Sequence, residues 1–218
     1  GNWLIQIATP KAGYKKQQIT ISDGEITTLK NILIGEVWFC SGQSNMQMPL
    51  NGFWNCPKEG ANETIATSGQ YKNIRMATVP NISKLEPKTS CPGQWKESNP
   101  ENAAQFGATA YHFAMMLNKS LDVPVGIINC SWGGSTVEGW LKKEILQTYP
   151  DVDLSLAGSD KIHPMLQPMI MYNGMLKPLV NYTIKGFLWY QGESNVGRHQ
   201  TYADRLATMV KLWREEWG

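Results

Sequence analysis

One serine of this chain combines the residue type and the setting that covalent catalysis requires. Ser44 follows an apolar run over residues 37–41 that is typical of a strand, and Gly42 lies between them. A strand that ends in a tight turn presents the next side chain at the carboxyl edge of its sheet, where open α/β sheets bind ligands. A serine there, with free backbone N–H groups beside it, suits a nucleophile with its own anion site. A helix cap is the alternative role for such a serine.

Two further segments place glycines beside hydroxyl and amide side chains, each directly after a predicted strand. Residues 124–130 predict a buried strand that leads into Trp-Gly-Gly-Ser-Thr at 132–136, the second segment. Residues 185–190 predict another, which leads into Gln-Gly-Glu-Ser-Asn at 191–195, the third segment. Because parallel strands end at one edge of their sheet, we expect both segments to converge on the first segment, residues 42–46.

The chemistry of these segments favours acyl transfer. Ser44 would attack an ester carbonyl, and its own N–H would hold the developing oxyanion together with an N–H of Gly133 or Gly134. A side-chain amide of Gln191 or Asn195 would be the third donor. Other polar residues that can line this pocket are Gln43, Glu193, Ser194, Arg198 and His199.

A serine hydroxyl also needs a general base, nearly always a histidine oriented by a carboxylate. Asp160 and His163 have the spacing Asp-x-x-His, but they precede the third segment, and a coincidence on a loop is the alternative interpretation. His199 follows the third segment and is either a pocket residue or part of a helix surface. His112 falls inside a predicted helix, which favours a structural role with its hydrogen-bonding atoms satisfied.

Composition restricts the class of protein and of partner. The 218 residues are 42% hydrophobic and 17% charged, with a net charge of +2, which indicates a globular chain without a nucleic-acid partner. Uncharged stretches are too short and too polar to span a bilayer. No CxxC spacing occurs, so a zinc or redox site is not expected. No metal or other cofactor is predicted. Cys40 and Cys130 are expected to be buried, whereas Cys56 and Cys91 can form a disulfide in an oxidising compartment.

Hydrophobic periodicity divides the chain into two parts. Residues 1–34 predict short strands, as at the end of a β-rich domain, and residues 35–218 predict alternating strands and helices of an α/β domain. The short strands are predicted over 3–7, 18–21 and 27–29, a further strand of the α/β part over 74–79, and helices over 104–121, 164–179 and 202–217. Long loops carry Phe53, Trp54 and Trp95, which either stack on sugar rings or form small cores under the loops.

The three segments resemble the sialate O-acetylesterases, a branch of the SGNH (GDSL-type) hydrolase superfamily. The matching residues are Gly42-Gln43-Ser44-Asn45-Met46, Trp132-Gly133-Gly134-Ser135-Thr136 and Trp189-Tyr190-Gln191-Gly192-Glu193-Ser194-Asn195. The resemblance implies a three-layer α/β/α, flavodoxin-like domain that removes O-acetyl groups from sialic acid or from plant polysaccharides such as xylan. It also implies Ser44 as nucleophile and a secreted, periplasmic or lysosomal setting. A carbohydrate-binding module without chemistry is the alternative, and the oligomeric state stays open.

One part of that family pattern is not found in this sequence. SGNH hydrolases carry the base and its carboxylate as Asp-x-x-His after the third segment, whereas this chain reaches Gly218 within or just past a predicted helix. We therefore expect an internal fragment of a longer esterase, with the catalytic histidine beyond Gly218. Aligning Gly192 with the family glycine places Ser194, not Asn195, at the usual asparagine position.

Overall fold

The computed structural model describes residues 5–218. The strands are β1 (Gly13–Ser22), β2 (Ile26–Ile34), β3 (Glu36–Gly42), β4 (Ile74–Thr78), β5 (Lys96–Glu97), β6 (Val125–Ser131) and β7 (Gly186–Tyr190). The α-helices are α1 (Ser44–Gln47), α2 (Ala61–Thr67), α3 (Pro100–Ala104), α4 (Ala108–Leu121), α5 (Lys143–Leu146) and α6 (His199–Trp217).

A five-stranded sheet in the order β5-β4-β6-β3-β7 forms the centre of the α/β part. β4, β6, β3 and β7 are parallel, and the short β5 pairs antiparallel with β4. The apolar runs that predicted these four parallel strands agree with them to within one residue at each end. Such continuous apolar runs are expected of strands covered on both faces.

Two hydrophobic cores lie on opposite faces of this sheet. Alternation along β3 directs Phe39 into one core, with Trp140 and Trp213. The neighbouring Cys40 faces the other core, with Tyr111 of α4. Because α6 covers the first face and α4 the second, the chain has the predicted three-layer α/β/α arrangement.

The amino-terminal part contains a separate two-stranded antiparallel sheet of β1 and β2. Asn31 joins it to the edge of the main sheet through hydrogen bonds with Arg75 and Glu97. The strand predicted over residues 3–7 lies partly outside the described residues, and residues 5–7 are exposed and not in a strand. The interpretation of residues 1–34 as the end of a β-rich domain stays a prediction.

Two predicted helices differ from the observed ones. The helix predicted over 104–121 begins only at Ala108, because α3 ends at Ala104 and the chain passes Gly107 in a non-helical conformation. Gly107 lies so close to Asn129 and the backbone of Met46 that a Cβ atom would not fit there. The Met-rich stretch over 164–179 forms short turns around a buried π-helical turn at Tyr172–Leu176 rather than one helix.

The cysteines differ in part from the prediction. Cys40 and Cys130 are buried, as expected, and burial raises the pKa of the Cys40 thiol to about 12. Cys56 and Cys91 are both free, so the disulfide considered between them is not formed.

Gly42 is required where β3 turns towards α1. Its φ is +140°, and a Cβ atom there would lie 2.1 Å from the carbonyl oxygen of Tyr190 on β7. We predict that Gly42→Ala lowers the free energy of unfolding by about 3 kcal/mol, because both the backbone and the strand contact must shift. Urea unfolding measures this difference. Gly93→Ala is the matched control, since nothing lies within 4 Å of its Cβ position, and an equal loss there would contradict the prediction.

Candidate active site

The position of Ser44 follows from the register of the sheet. Gly42 at the end of β3 lies beside Ser131 of β6 and Tyr190 of β7, so the three parallel strands end level with one another. Ser44 is the first residue of α1 and is half-buried. Gln43 occupies the cap position of that helix, and the Ser44 hydroxyl makes no hydrogen bond with any described residue. The hydroxyl is therefore not used as a helix cap.

The second segment lies against Ser44. The N–H of Trp132 donates to the carbonyl of Gly42 at 3.0 Å. A Cβ atom at Gly133 would lie 3.7 Å from the Cβ of Ser44, and the N–H of Gly133 donates to Oε1 of Gln47 at 2.6 Å. Gly134 has a φ of +77°, which glycine adopts without strain.

The third segment is fastened to the first by side chains. Gln43, which is 5% exposed, accepts through its Oε1 from the N–H of Gly192 at 3.2 Å and from that of Ser194 at 3.3 Å. Asn45 donates from its side-chain amide to the exposed carboxylate of Glu193 at 2.6 Å. The predicted convergence of the three segments at one edge is thus observed, and Gln43 and Glu193 act in it as contacts between segments.

The amides predicted as side-chain donors have other partners in this structure. Nε2 of Gln191 donates to the carbonyl of Ser135 at 3.0 Å and to Oδ1 of Asn195 at 2.7 Å. Asn195 is 2% exposed, and its Nδ2 donates to both carboxylate oxygens of Glu138, at 3.0 and 3.3 Å. Gln191 thus connects the second and third segments, and Asn195 connects the third segment to Glu138, two residues after the second. The assignment of either amide to the oxyanion site stays a prediction.

A buried charge network connects the region just after the second segment to α6. The sequence analysis did not predict it. Arg205 of α6 is fully buried and bonds both Glu138 and the more exposed Asp151. Arg198, half-exposed, approaches the Glu138 carboxylate at 3.3 Å. Met209 and Trp213, on the buried face of α6, follow Arg205 by four and eight residues. Because residues at this spacing share one helix face, the sequence could have predicted that Arg205 points inward.

The network lowers the pKa of the Glu138 carboxyl. Burial alone raises this pKa, but hydrogen bonds from Asn195 and from the backbone oppose it. The positive charges of Arg198 and Arg205 add to that opposition, so the pKa of Glu138 falls below its ordinary value. Glu138 is consequently a carboxylate at neutral pH.

None of the three histidines is hydrogen-bonded to Ser44 within residues 5–218. His163 and Asp160 are both exposed and do not bond to each other in this part of the chain. They line a cleft of about 460 Å³ with Ser83, Lys161 and Gln167. His199 is exposed, with Nδ1 3.0 Å from the carbonyl oxygen of Val196.

His112 and the loop aromatics complete the predicted candidates. His112 lies in α4, where burial and then the nearby Lys58 lower its pKa. Its buried Nε2 has no hydrogen-bond partner among residues 5–218, so the prediction that its polar atoms are satisfied is wrong. Trp54 is 92% exposed, on the loop that follows α1. Trp95 packs beside Gly126 and Tyr182 near the amino-terminal ends of β3 and β6, at the opposite edge from Ser44. Trp95 therefore does not line this site.

Comparison with known proteins indicates the same class of protein as the geometry of the site. Residues 34–218 match a family described as carbohydrate esterase, sialic acid-specific acetylesterase. The human sialate O-acetylesterase is 31% identical and the mouse protein 27% identical, each over 98% of this chain. The crystal structure of a carbohydrate acetylesterase from Xanthomonas citri is 32% identical over 90% of this chain, with a TM-score of 0.76.

These similarities define the class of the chain. The three-layer sheet, with a serine and a glycine-rich segment at its carboxyl edge, is the arrangement of SGNH-type hydrolases. The chain belongs to the carbohydrate esterase family of sialic acid-specific acetylesterases. It covers 42% of the human relative, 46% of the mouse relative and 42% of the Xanthomonas citri chain, and so spans less than half of their length. No helix among residues 5–218 is long and apolar enough to cross a membrane.

The Glu138 network gives a stability prediction. Glu138→Gln leaves Arg205 with one buried ionic partner fewer, so we expect the free energy of unfolding at pH 7 to fall by about 3 kcal/mol. Because the pKa of Glu138 is lower in the folded state, its ionised carboxylate stabilises the fold at every pH above the unfolded-state pKa of about 4.3. This stabilisation is lost as the pH falls through the folded-state pKa. The difference between variant and wild type therefore shrinks below about pH 4.

Urea unfolding at a series of pH values measures this effect. Glu215→Gln is the matched control, because Glu215 and Lys211 form an exposed pair at 3.9 Å, and it should change stability by less than about 0.5 kcal/mol. Equal effects of the two substitutions would contradict a structural role for the buried pair.

Proposed function

We propose that this chain carries the nucleophile and the oxyanion site of a serine-dependent carbohydrate O-acetylesterase. One observation carries the proposal: the half-buried Ser44, with a free hydroxyl, lies at the carboxyl edge of the sheet against the Gly133–Gly134 turn. Family membership supports the reaction class.

The reaction then follows from the groups at this edge. The Ser44 oxygen attacks the acetyl carbonyl carbon while its proton passes to the base, and the carbonyl oxygen becomes an oxyanion. Backbone N–H groups of Ser44 and of the glycine turn stabilise that charge. The C–O bond to the sugar breaks, the sugar oxygen takes the proton from the base, and acetyl-Ser44 remains. Water, activated by the same base, releases acetate and restores the hydroxyl.

The general base comes from outside the described residues in this proposal. Within residues 5–218 no histidine is hydrogen-bonded to Ser44, and Asp160 and His163 are exposed and not hydrogen-bonded to each other. The longer relatives leave room for a base in sequence that this chain does not include. We assign that role to an Asp-x-x-His pair carried by the longer protein.

Acetylated sugars are the proposed substrate class, and O-acetylated sialic acid is the proposed member. The names of the human and mouse relatives favour a sialate, while acetylated xylan is the second candidate. The cleft at Asp160 and His163 lies next to the glycine turn, because Met165 would lie 3.3 Å from a Cβ atom at Gly134. Its hydroxyl, carboxylate, ammonium and imidazole groups suit a polyhydroxylated ligand. A secreted, periplasmic or lysosomal setting is proposed from the family alone.

A carbohydrate-binding role without chemistry is the second candidate. The exposure of Phe53 and Trp54, at 40% and 92%, favours it, because such rings stack on sugar faces. Sugar binding that is unchanged by loss of the Ser44 hydroxyl, with no ester hydrolysis, would support this role over the esterase.

Replacing the nucleophile tests the reaction. We expect Ser44→Ala in the full-length protein to reduce p-nitrophenyl acetate turnover by at least about a thousandfold, since no covalent intermediate can form. Ser120→Ala, at an exposed position near the end of α4, should retain wild-type turnover. The 218-residue chain alone should be far less active than the full-length protein. Hydrolysis that survives Ser44→Ala would refute the proposal.

Replacing His163 separates sugar binding from chemistry. We expect His163→Ala to raise KM for an acetylated sugar about threefold or more, through loss of a cleft contact, without changing p-nitrophenyl acetate turnover. A hundredfold fall in turnover of both esters would instead identify Asp160 and His163 as the base pair. Unchanged kinetics with both esters would remove the cleft from the substrate site.

A further inference from the structure

The cleft that contains His163 is attached to the second segment through Met165. The N–H of Thr136 donates to the carbonyl of Met165 at 3.4 Å, and the Met165 side chain would lie 3.3 Å from a Cβ atom at Gly134. The loop over residues 158–163 therefore ends beside the glycine turn. The cleft volume of about 460 Å³ falls within the range of roughly 300–1,000 Å³ that small-molecule sites occupy.

The opposite side of the cleft is attached to the same strand end. In the orientation that satisfies both of its polar atoms, the Asn81 side chain donates to the carbonyl of Ser131 at 3.1 Å and accepts from Nε1 of Trp132 at 3.3 Å. Ser83, two residues after Asn81, lines the cleft. A sugar in this cleft would thus lie against the segment that borders Ser44.

The loop over residues 158–163 has little structure of its own. It forms neither a helix nor a strand, and most of its side chains are exposed, namely Ser159, Asp160, Lys161 and His163. Segments with few buried apolar contacts have low local stability and open readily unless other bonds hold them. The polar groups of this side of the cleft therefore depend on an external support for their position.

Gln167 provides that support. It is 5% exposed, and its Oε1 accepts from the N–H of Gly158 at 2.7 Å. Its Nε2 donates to the carbonyls of Ser159 at 2.8 Å and of Ile162 at 3.3 Å. These bonds use both N–H groups of the carboxamide and join the beginning of the loop to a residue near its end. One side chain thus holds the backbone of the loop in a single conformation.

We propose that Gln167 is a positioning residue of the sugar site, which holds Asp160, Lys161 and His163 where they contact the sugar. The inference rests on the proposed esterase function and on the assignment of this cleft to the sugar. A loop that is already fixed loses less conformational freedom when a ligand binds, so it binds the sugar more tightly. An ester without a sugar reacts at Ser44 and makes no use of this loop.

Replacing Gln167 in the full-length protein tests this role. Gln167→Met keeps the length of the side chain but has no N–H donor. We expect it to raise KM for an acetylated sugar about tenfold, with kcat changed less than about threefold and p-nitrophenyl acetate turnover unchanged. The sugar is O-acetylated sialic acid or an acetylated xylo-oligosaccharide, whichever the wild type hydrolyses faster.

Asn118→Leu is the matched control for lost stability. The Asn118 amide donates to the carbonyl of Val123 at 2.8 Å, just before β6 begins and so at the opposite edge of the sheet from Ser44. This substitution also removes a bond from a side-chain amide to the backbone. It should lower the melting temperature while leaving KM for both esters unchanged.

A second background separates positioning from a general structural effect. It carries Asp160→Ala, Lys161→Ala and His163→Ala together, so that Gln167→Met has no sugar contact left to position. We expect Gln167→Met to lower the melting temperature equally in both backgrounds, but to raise KM for the sugar less than about twofold in the alanine background.

Three results would count against these proposals. Equal rises in KM for the sugar in the two backgrounds, or no rise in either, would overturn the inference while leaving the esterase intact. A fall in p-nitrophenyl acetate turnover as large as that for the sugar would overturn it as well. Absence of Ser44-dependent turnover in the wild type would instead refute the proposed function itself.

Discussion

The parallel, level pairing of β3 with β6 and β7 is the constraint on which the candidate site depends. It brings Gly42, Ser131 and Tyr190 side by side although they are far apart in the chain. The close contact at Gly42 keeps the turn against β7, and Gln43 then fastens the third segment by accepting from two backbone N–H groups. The position of Ser44 is therefore set by backbone geometry and not by contacts of its own side chain.

Segments rich in glycine need support from elsewhere, because they contribute few apolar side chains of their own. Here a charge network supplies it: Glu138 lies just after the second segment, Asn195 lies in the third, and Arg205 connects them to α6. A buried ion pair adds little net stability, since desolvation offsets the attraction, but it penalises every arrangement in which the partners separate. The network thus favours one relative placement of the two segments.

Sequence patterns predicted the strands, the three layers and the convergence of the segments, because hydrophobic periodicity and strand-end glycines report burial and turns directly. They did not predict which amide faces which acceptor. The amides of Gln191 and Asn195 bond Ser135 and Glu138 in this structure, which the sequence did not indicate, while their assignment to the oxyanion site stays a prediction. The contact between Gln47 and the N–H of Gly133 was not predicted either, because a glutamine on a four-residue helix has no distinctive pattern. The close approach of Gly107 to Asn129, just before α4 begins, is likewise a tertiary contact that no local pattern encodes.

The distribution of donors and bases has a chemical consequence. Residues 5–218 hold the proposed nucleophile and N–H groups without a hydrogen-bond partner at one edge of the sheet, but no histidine that is hydrogen-bonded to the hydroxyl. In serine hydrolases the oxyanion site and substrate binding alone retain roughly 10³–10⁴-fold acceleration over water when triad members are removed. Charge stabilisation and proton transfer are therefore separable contributions. In the proposed reaction the sheet edge stabilises the oxyanion as it forms, whereas the rate of forming it depends on where the proton of Ser44 goes.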